Sequence, residues 1–99
     1  MKRFTLSPEA AQDIREIWSS IAQDNLRAAR RVRLLLLEAC QALANHPGIG
    51  HRREDLTDKA VLFWPVGLYL LVYNPASRPV AIVRVLHGAR NIPAVLTAE

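Results

Sequence analysis

The residues whose chemistry stands out lie near the C-terminal end of this 99-residue chain, in the stretch RVLHGARNIPAVL at 84–96. This stretch brings Arg84, His87 and Arg90 close together in sequence. Cleavage of RNA through its 2′-hydroxyl needs a base near that hydroxyl, an acid near the leaving oxygen and cations on the phosphate. Imidazole changes charge near neutral pH, and guanidinium pairs phosphate through two N–H groups. These three residues are therefore candidates for a nuclease site.

The same three residues also have structural explanations. His87 has no evident acid partner in the sequence, which favours a strand-end histidine bonded to a carbonyl group or to the C-terminal tail. Arg84 lies between two valines and faces the opposite side of its strand from both, so it is either paired within the protein or presented to a partner. Arg90 follows a glycine and is expected to be exposed. Tyr69 and Tyr73 are the other candidate bases near the predicted sheet.

A second charged group lies in the segment GHRREDL at 50–56. Arg52 and Arg53 precede Glu54 and Asp55, so the two arginines either pair with these neighbours or meet a partner. Trp64, near the end of a predicted strand, is either a core residue or an exposed contact.

A third group consists of arginines at 27, 30, 31 and 33, three of which align on one helical face. A solvated outer face is the usual reason for such a run, and an acidic partner or the cellular target is the alternative. The three histidines lack metal-ligand spacing and Cys40 is expected in the core, so we predict neither a metal site nor a cofactor.

Composition limits the class of protein. Hydrophobic residues make up 51% of the chain, which argues for a single folded domain over 1–99. The net charge is +4, and 11 of the 13 basic residues are arginine, which suits an acidic protein segment or nucleic acid. A signal peptide, a membrane-spanning run and a second cysteine are all missing from the sequence, so a cytoplasmic protein is expected.

Hydrophobic periodicity predicts the elements that position these residues. A helix begins at Ser7-Pro8, with Gln12, Asp13, Glu16 and Ser20 on its polar face, and a second helix runs from 26 to 45 after Asp24-Asn25. Short strands are predicted at 2–6, 61–66, 68–74 and 80–88. The order β-αα-βββ indicates an α+β fold in which a helical hairpin covers one face of a small antiparallel sheet. The apolar tail NIPAVL at 91–96, with Ile92 and Leu96, either packs on the sheet or joins a partner surface.

Three segments resemble the ParE branch of the RelE/ParE toxin superfamily of bacterial type II toxin–antitoxin systems. They are LSPEAAQDIREIW at 6–18, HPGIGHRREDLTDKAVLFWPVGLYLLVYNP at 46–75 and IVRVLHGARNIPAVL at 82–96, and together they cover most of the chain. Many relatives carry an arginine at the start of the second strand, where this chain has Leu62. If that arginine belongs to a shared functional surface, this chain has either lost it or replaced it with Arg52 or Arg53.

The resemblance implies a toxin that is neutralised by a ParD-like antitoxin with a DNA-binding part and a segment that wraps the toxin. ParE-like members inhibit DNA gyrase by binding, whereas RelE-like members cut mRNA on the ribosome. We expect the first, non-catalytic activity, with the RelE-like nuclease (His87, Arg84, Arg90) as the alternative and a degenerate toxin that only binds its partner as a third reading. Membrane association and sequence-specific nucleic-acid binding are not expected. The residues expected to contact antitoxin or target are Arg52, Arg53, Trp64, Arg84, Arg90, Ile92 and Leu96.

Overall fold

Two helices follow a short first strand, and three further strands and a terminal helix complete the fold. The computed structural model describes residues 2–97. The elements are β1 (Phe4–Leu6), α1 (Pro8–Ala22), α2 (Leu26–Asn45), a 3₁₀ turn (Pro47–Ile49), β2 (Leu62–Val66), β3 (Tyr69–Asn74), β4 (Val80–His87) and α3 (Ile92–Thr97). The predicted α+β order is therefore confirmed, and the tail forms a helix in addition.

Side chains at the predicted positions start both long helices. The Ser7 hydroxyl accepts a hydrogen bond from the Ala10 N–H at 2.9 Å, and Pro8 occupies the first turn of α1. The Asn25 side chain accepts from the Ala28 N–H at 3.0 Å at the start of α2. The Ser7 hydroxyl also donates to the Val83 carbonyl at 2.7 Å, so this cap ties α1 to β4 as well.

The four strands lie in the order β1-β4-β3-β2. The strands β2, β3 and β4 form the expected antiparallel meander, but β1 runs parallel to β4, with Phe4 opposite Val80 and Leu6 opposite Ile82. The sheet is therefore mixed rather than wholly antiparallel. The helical hairpin and two strands separate β1 from β4 in the chain, so no tight turn dictates the direction in which β1 pairs.

Both faces of the sheet are covered. On one face, α1 and α2 enclose a core that includes Leu36, Leu43, Leu71 and Ile82. On the other face, α3 inserts Ile92 and Leu96 against a smaller group formed by Phe63, Val72 and Leu86. Packing of the tail on the sheet, the first of the two alternatives for NIPAVL, is therefore confirmed. It hides apolar surface that would otherwise face water.

One irregularity in β4 sets which side chains reach the helices. Val72 pairs with Arg84 but the next residue, Tyr73, pairs with Ile82, so Val83 is an extra residue in β4. The bulge lets both Ile82 and Val85 reach the core under the helices, although their separation would place them on opposite faces of a regular strand.

A buried carboxylate fastens α1 to β4. Asp13, which the sequence places on the polar face of α1, is only 6% exposed. Its Oδ2 accepts from the Val85 N–H at 2.9 Å and from Arg84 Nε at 2.7 Å, while Oδ1 accepts from Arg84 Nη2 at 2.9 Å. Asp13 thus takes the place of a neighbouring strand along the part of β4 that β1 is too short to cover. The expectation that Asp13 faces solvent was wrong, because helical periodicity does not reveal a strand edge that lies against the helix.

The hydroxyl of Tyr73 fixes the turn after α2. It donates to the Pro47 carbonyl at 2.6 Å and accepts from the Gly50 N–H at 2.9 Å. Burial raises the pKa of this hydroxyl, so Tyr73 remains a neutral structural residue at physiological pH rather than a base. A Cβ at Gly50 would lie 2.5 Å from the hydroxyl oxygen, so the close approach requires glycine.

The Asp13→Ala substitution is expected to destabilise the protein by about 3–5 kcal/mol, because it removes the buried carboxylate that binds the partly buried Arg84 guanidinium and leaves the Val85 N–H without an acceptor. Urea unfolding measures the loss. Glu16→Ala, an exposed acidic position on the same helix, is the matched control and should change stability by less than about 0.5 kcal/mol. Equal effects of the two substitutions would contradict the structural role of Asp13.

The Gly50→Ala substitution is expected to lower the free energy of unfolding by about 1–3 kcal/mol, because the new methyl group would overlap the Tyr73 ring and hydroxyl. Gly48→Ala is the control, since a Cβ at Gly48 meets no atom within 4 Å. Thermal unfolding of the two variants side by side makes the comparison. A Gly50→Ala protein as stable as the Gly48→Ala protein would show that the Tyr73 contact is not needed.

Candidate functional site: a groove along the first helix

Three adjoining cavities form one groove between α1 and the end of the sheet where β3 begins and β4 ends. Cavities of about 380 Å³ and 200 Å³ share Asp13, Glu16 and Arg90. The second cavity shares Ile21 and Tyr69 with a third of about 360 Å³. We call the cavity of about 380 Å³ the polar end of the groove, the cavity of about 200 Å³ its middle and the cavity of about 360 Å³ its apolar end. A continuous groove of this kind suits an extended or helical peptide better than a small molecule.

The polar end carries charges of both signs. Glu9, Glu16 and Arg90 are exposed there, while Arg84 is held by Asp13. Arg84 was expected either to be paired within the protein or to meet a partner, and its pairing within the protein is confirmed. Its charge is therefore already balanced by the fold, whereas Arg90 remains at the surface as expected.

The middle of the groove contains His87. Its ring meets Tyr69, its cross-strand partner, edge to face with ring centroids 5.5 Å apart. His87 Nδ1 accepts from the Ala89 N–H at 3.1 Å, so a neutral ring would carry its proton on Nε2. Glu16 lines the same cavity from α1. The sequence did not reveal this acidic neighbour of His87, because it lies on an element far away in the chain.

The apolar end is formed by exposed aliphatic side chains. Leu35 of α2 and Leu68 of the β2–β3 turn are 49% and 70% exposed. Together with Ile21, Val32 and Val66 they line a cavity whose walls are almost entirely apolar. Large side chains exposed next to one another in a concave surface are typical of a protein-binding site. Sequence reasoning did not identify this end, since Leu35 reads as one more leucine in the run LLLL at 34–37.

The remaining predicted contact residues lie outside the groove. Arg53 donates two hydrogen bonds to Asp55, at 2.9 and 3.0 Å, and Arg52 lies 3.7 Å from Glu54, so the local pairing suggested by the sequence is confirmed. The bond from Arg53 holds the pKa of the exposed Asp55 carboxyl below its usual range. Pairing of this kind on the surface contributes little to stability, and a role of these arginines in binding stays a prediction.

Trp64, Ile92 and Leu96 are used in packing. Trp64 is half-buried against the core under the helices and stacks on His51, with ring centroids 6.0 Å apart. Ile92 and Leu96 are 3% and 2% exposed in the core under α3. In this conformation neither aliphatic side chain is available to a partner, so their predicted contact role does not follow from the structure.

The arginines of α2 form a further exposed surface. Arg27, Arg30, Arg31 and Arg33 are all exposed. Within residues 2–97, none of the four forms an ion pair with a carboxylate. No neighbouring carboxylate balances these charges within residues 2–97, whereas Arg52, Arg53 and Arg84 each face one.

Cys40 is buried in the core under the helices, as predicted. Burial raises the pKa of its thiol to about 12, so the thiolate required for nucleophilic attack or metal binding does not form at neutral pH. Among residues 2–97, no three His, Cys, Asp or Glu side chains are grouped so that they could hold a metal ion.

The chain is a small α+β protein with a mixed four-stranded sheet and an open groove along its first helix. The model of the family described as ParE toxin of type II toxin-antitoxin system, parDE, matches residues 4–92. The chain therefore belongs to the ParE toxin family, the toxin component of type II toxin–antitoxin systems, as the sequence resemblance predicted.

The structural comparison shows a similar fold. A solved structure titled "Chromosomal ParDE TA system from P. aeruginosa" superposes with a TM-score of 0.74 at 14% sequence identity, covering 88% of this chain and 96% of that chain. The comparison with curated proteins finds no match. Within the described residues, no helix has the length and apolar character needed to cross a bilayer.

Proposed function

We propose that this toxin inhibits DNA gyrase by binding it, and that a ParD-like antitoxin prevents this by placing a segment in the groove along α1. Membership of the ParE family supports the toxin role, and the P. aeruginosa structure of similar fold is titled as a ParDE system. The gyrase target rests on the resemblance to ParE-like rather than RelE-like sequences. The observation that carries the binding proposal is the exposed apolar end of the groove.

The contacts around β4 favour a helix over an added strand as the occupant. Strand addition needs free N–H and C=O groups along an edge. The edge of β4 beyond β1 is already used, because Ser7 binds the Val83 carbonyl and Asp13 binds the Val85 N–H. An amphipathic helix needs only an apolar strip, which Leu35 and Leu68 supply.

A second function, cleavage of mRNA in the manner of RelE-like toxins, is favoured by one observation. Glu16, His87 and Arg90 line the same cavity, so an acid, a base and a cation are all present. Against it, Arg84 is held by Asp13 outside that cavity, and among residues 2–97 Arg90 is the only arginine that lines it. A crowded phosphate in a transition state calls for more positive charge than this.

Leu35→Asp and Leu68→Asp are each expected to weaken antitoxin binding by about 10- to 100-fold, since each removes an apolar side chain from the interface and buries a charge. Calorimetry with a cognate ParD-like antitoxin measures the affinity. Ile49→Asp, which alters an exposed aliphatic residue outside the groove, is the control and should bind normally. Unchanged affinity in both groove variants, with thermal unfolding intact, would place the antitoxin elsewhere.

A parallel pair of assays tests the target. The purified toxin is expected to inhibit gyrase supercoiling and to leave mRNA intact in a translating extract, and His87→Ala should retain inhibition because no proton transfer is involved. Cleavage of mRNA that His87→Ala abolishes would establish the endonuclease instead. Absence of both activities, together with normal growth on expression without antitoxin, would indicate a degenerate toxin that serves only as a binding partner.

A further inference from the structure

The outer surface of α2 carries an uncompensated concentration of positive charge. Arg27, Arg30, Arg31 and Arg33 all lie in the N-terminal half of the helix, and its first turn contains no acidic residue. None of them forms an ion pair within residues 2–97, as described above.

This placement opposes two local preferences of helices. The first turn of a helix bears a partial positive charge, so the cation of Arg27 there is unfavourable by a few tenths of a kcal/mol. Like charges three or four positions apart, such as Arg27 with Arg30 and Arg31, repel each other by similar amounts. Solubility alone does not explain this pattern, because a helix surface with charges of both signs would be equally soluble. A helix that goes against such local preferences, with no compensating interaction inside the fold, is expected at a functional surface.

An exposed leucine lies among these arginines. Leu34 is 57% exposed and lies four positions after Arg30 and three after Arg31, so all three side chains share one face. Nonspecific binding of nucleic acid is driven by cations on the phosphates, and an apolar side chain amid the arginines adds nothing to it. A peptide with both acidic and apolar residues matches the whole surface.

The same surface is continuous with the apolar end of the groove. Arg31 lies four positions before Leu35, which lines that end, so the two side chains are neighbours along the helix. Other arginines are less suitable for an acidic partner, because Arg52, Arg53 and Arg84 already face Glu54, Asp55 and Asp13.

We propose that the α2 arginine face, formed by Arg27, Arg30, Arg31 and Leu34, binds an acidic stretch of the antitoxin segment that occupies the groove. This inference rests on the proposed function, since it extends the same segment beyond the groove. It assigns electrostatic recognition to α2 instead of the arginines at 52, 53, 84 and 90, and leaves the apolar end to supply contact area.

The test compares double charge reversals by calorimetry with a cognate ParD-like antitoxin. Arg27→Glu/Arg31→Glu is expected to weaken binding by at least about 30-fold at low salt and to flatten the dependence of affinity on salt. Arg52→Glu/Arg53→Glu tests the alternative assignment and should change affinity by less than about threefold. Arg3→Glu/Arg78→Glu, at exposed positions outside the groove and the α2 arginine face, is the matched control and should bind normally. The α2 reversal should not lower the melting temperature, because Arg27→Glu places an acid in the first turn and replaces the repulsion between positions 27 and 30 by attraction, and this separates lost recognition from misfolding.

Two outcomes would overturn the inference. If the α2 reversal binds the antitoxin normally while Leu35→Asp does not, the groove proposal stands and the α2 proposal fails. If the α2 reversal instead abolishes binding to a short duplex DNA probe while antitoxin binding is unchanged, the face serves nucleic acid. Normal antitoxin binding by the α2 reversal and by both groove variants would reject the proposed function as well.

Discussion

The position of α1 depends on one carboxylate, and the groove depends on the position of α1. Because β1 ends at Leu6, the second half of β4 has no neighbouring strand on that side, and Asp13 supplies the missing acceptor for the Val85 N–H while binding Arg84 through two bonds. A buried carboxylate is costly unless each oxygen is satisfied, and this one is. The helix is thereby held along an edge of the sheet, and the space left between them toward Tyr69 and Leu68 becomes the groove.

The core is completed without a partner. The short helix α3 covers the second face of the sheet with Ile92 and Leu96, and Lys59 Nζ donates to the Leu96 carbonyl at 2.8 Å near the end of that helix. The exposed apolar residues Leu35 and Leu68 lie at the groove instead. The fold therefore keeps the side chains that stabilise its core apart from the exposed apolar side chains at the groove.

The arrangement of charge explains why a binding function is preferred to a catalytic one. Catalysis on a phosphodiester needs several groups converging on one point, and here the fold itself uses Arg84 to satisfy Asp13. His87 is oriented by the Ala89 N–H and packs on Tyr69, which accounts for its position without a reaction. The α2 arginines, which form no ion pair within residues 2–97, are spread over a helix surface rather than gathered round a cavity, as an extended partner would require.

The sequence by itself determined the elements and the family. Ser7 and Asn25 start the helices by accepting hydrogen bonds from residues three positions away, and Pro8 fits the first turn. The apolar runs that form the strands are likewise local, so both kinds of element could be predicted from residues close together in the sequence. Only the tertiary structure decided the parallel pairing of β1, the burial of Asp13 and the groove. Each of these joins residues distant in the chain, such as Asp13 with Arg84 or Leu35 with Leu68. A residue's type and periodicity report whether it prefers water, but not which distant strand edge, charge or side chain it will meet when the chain is packed.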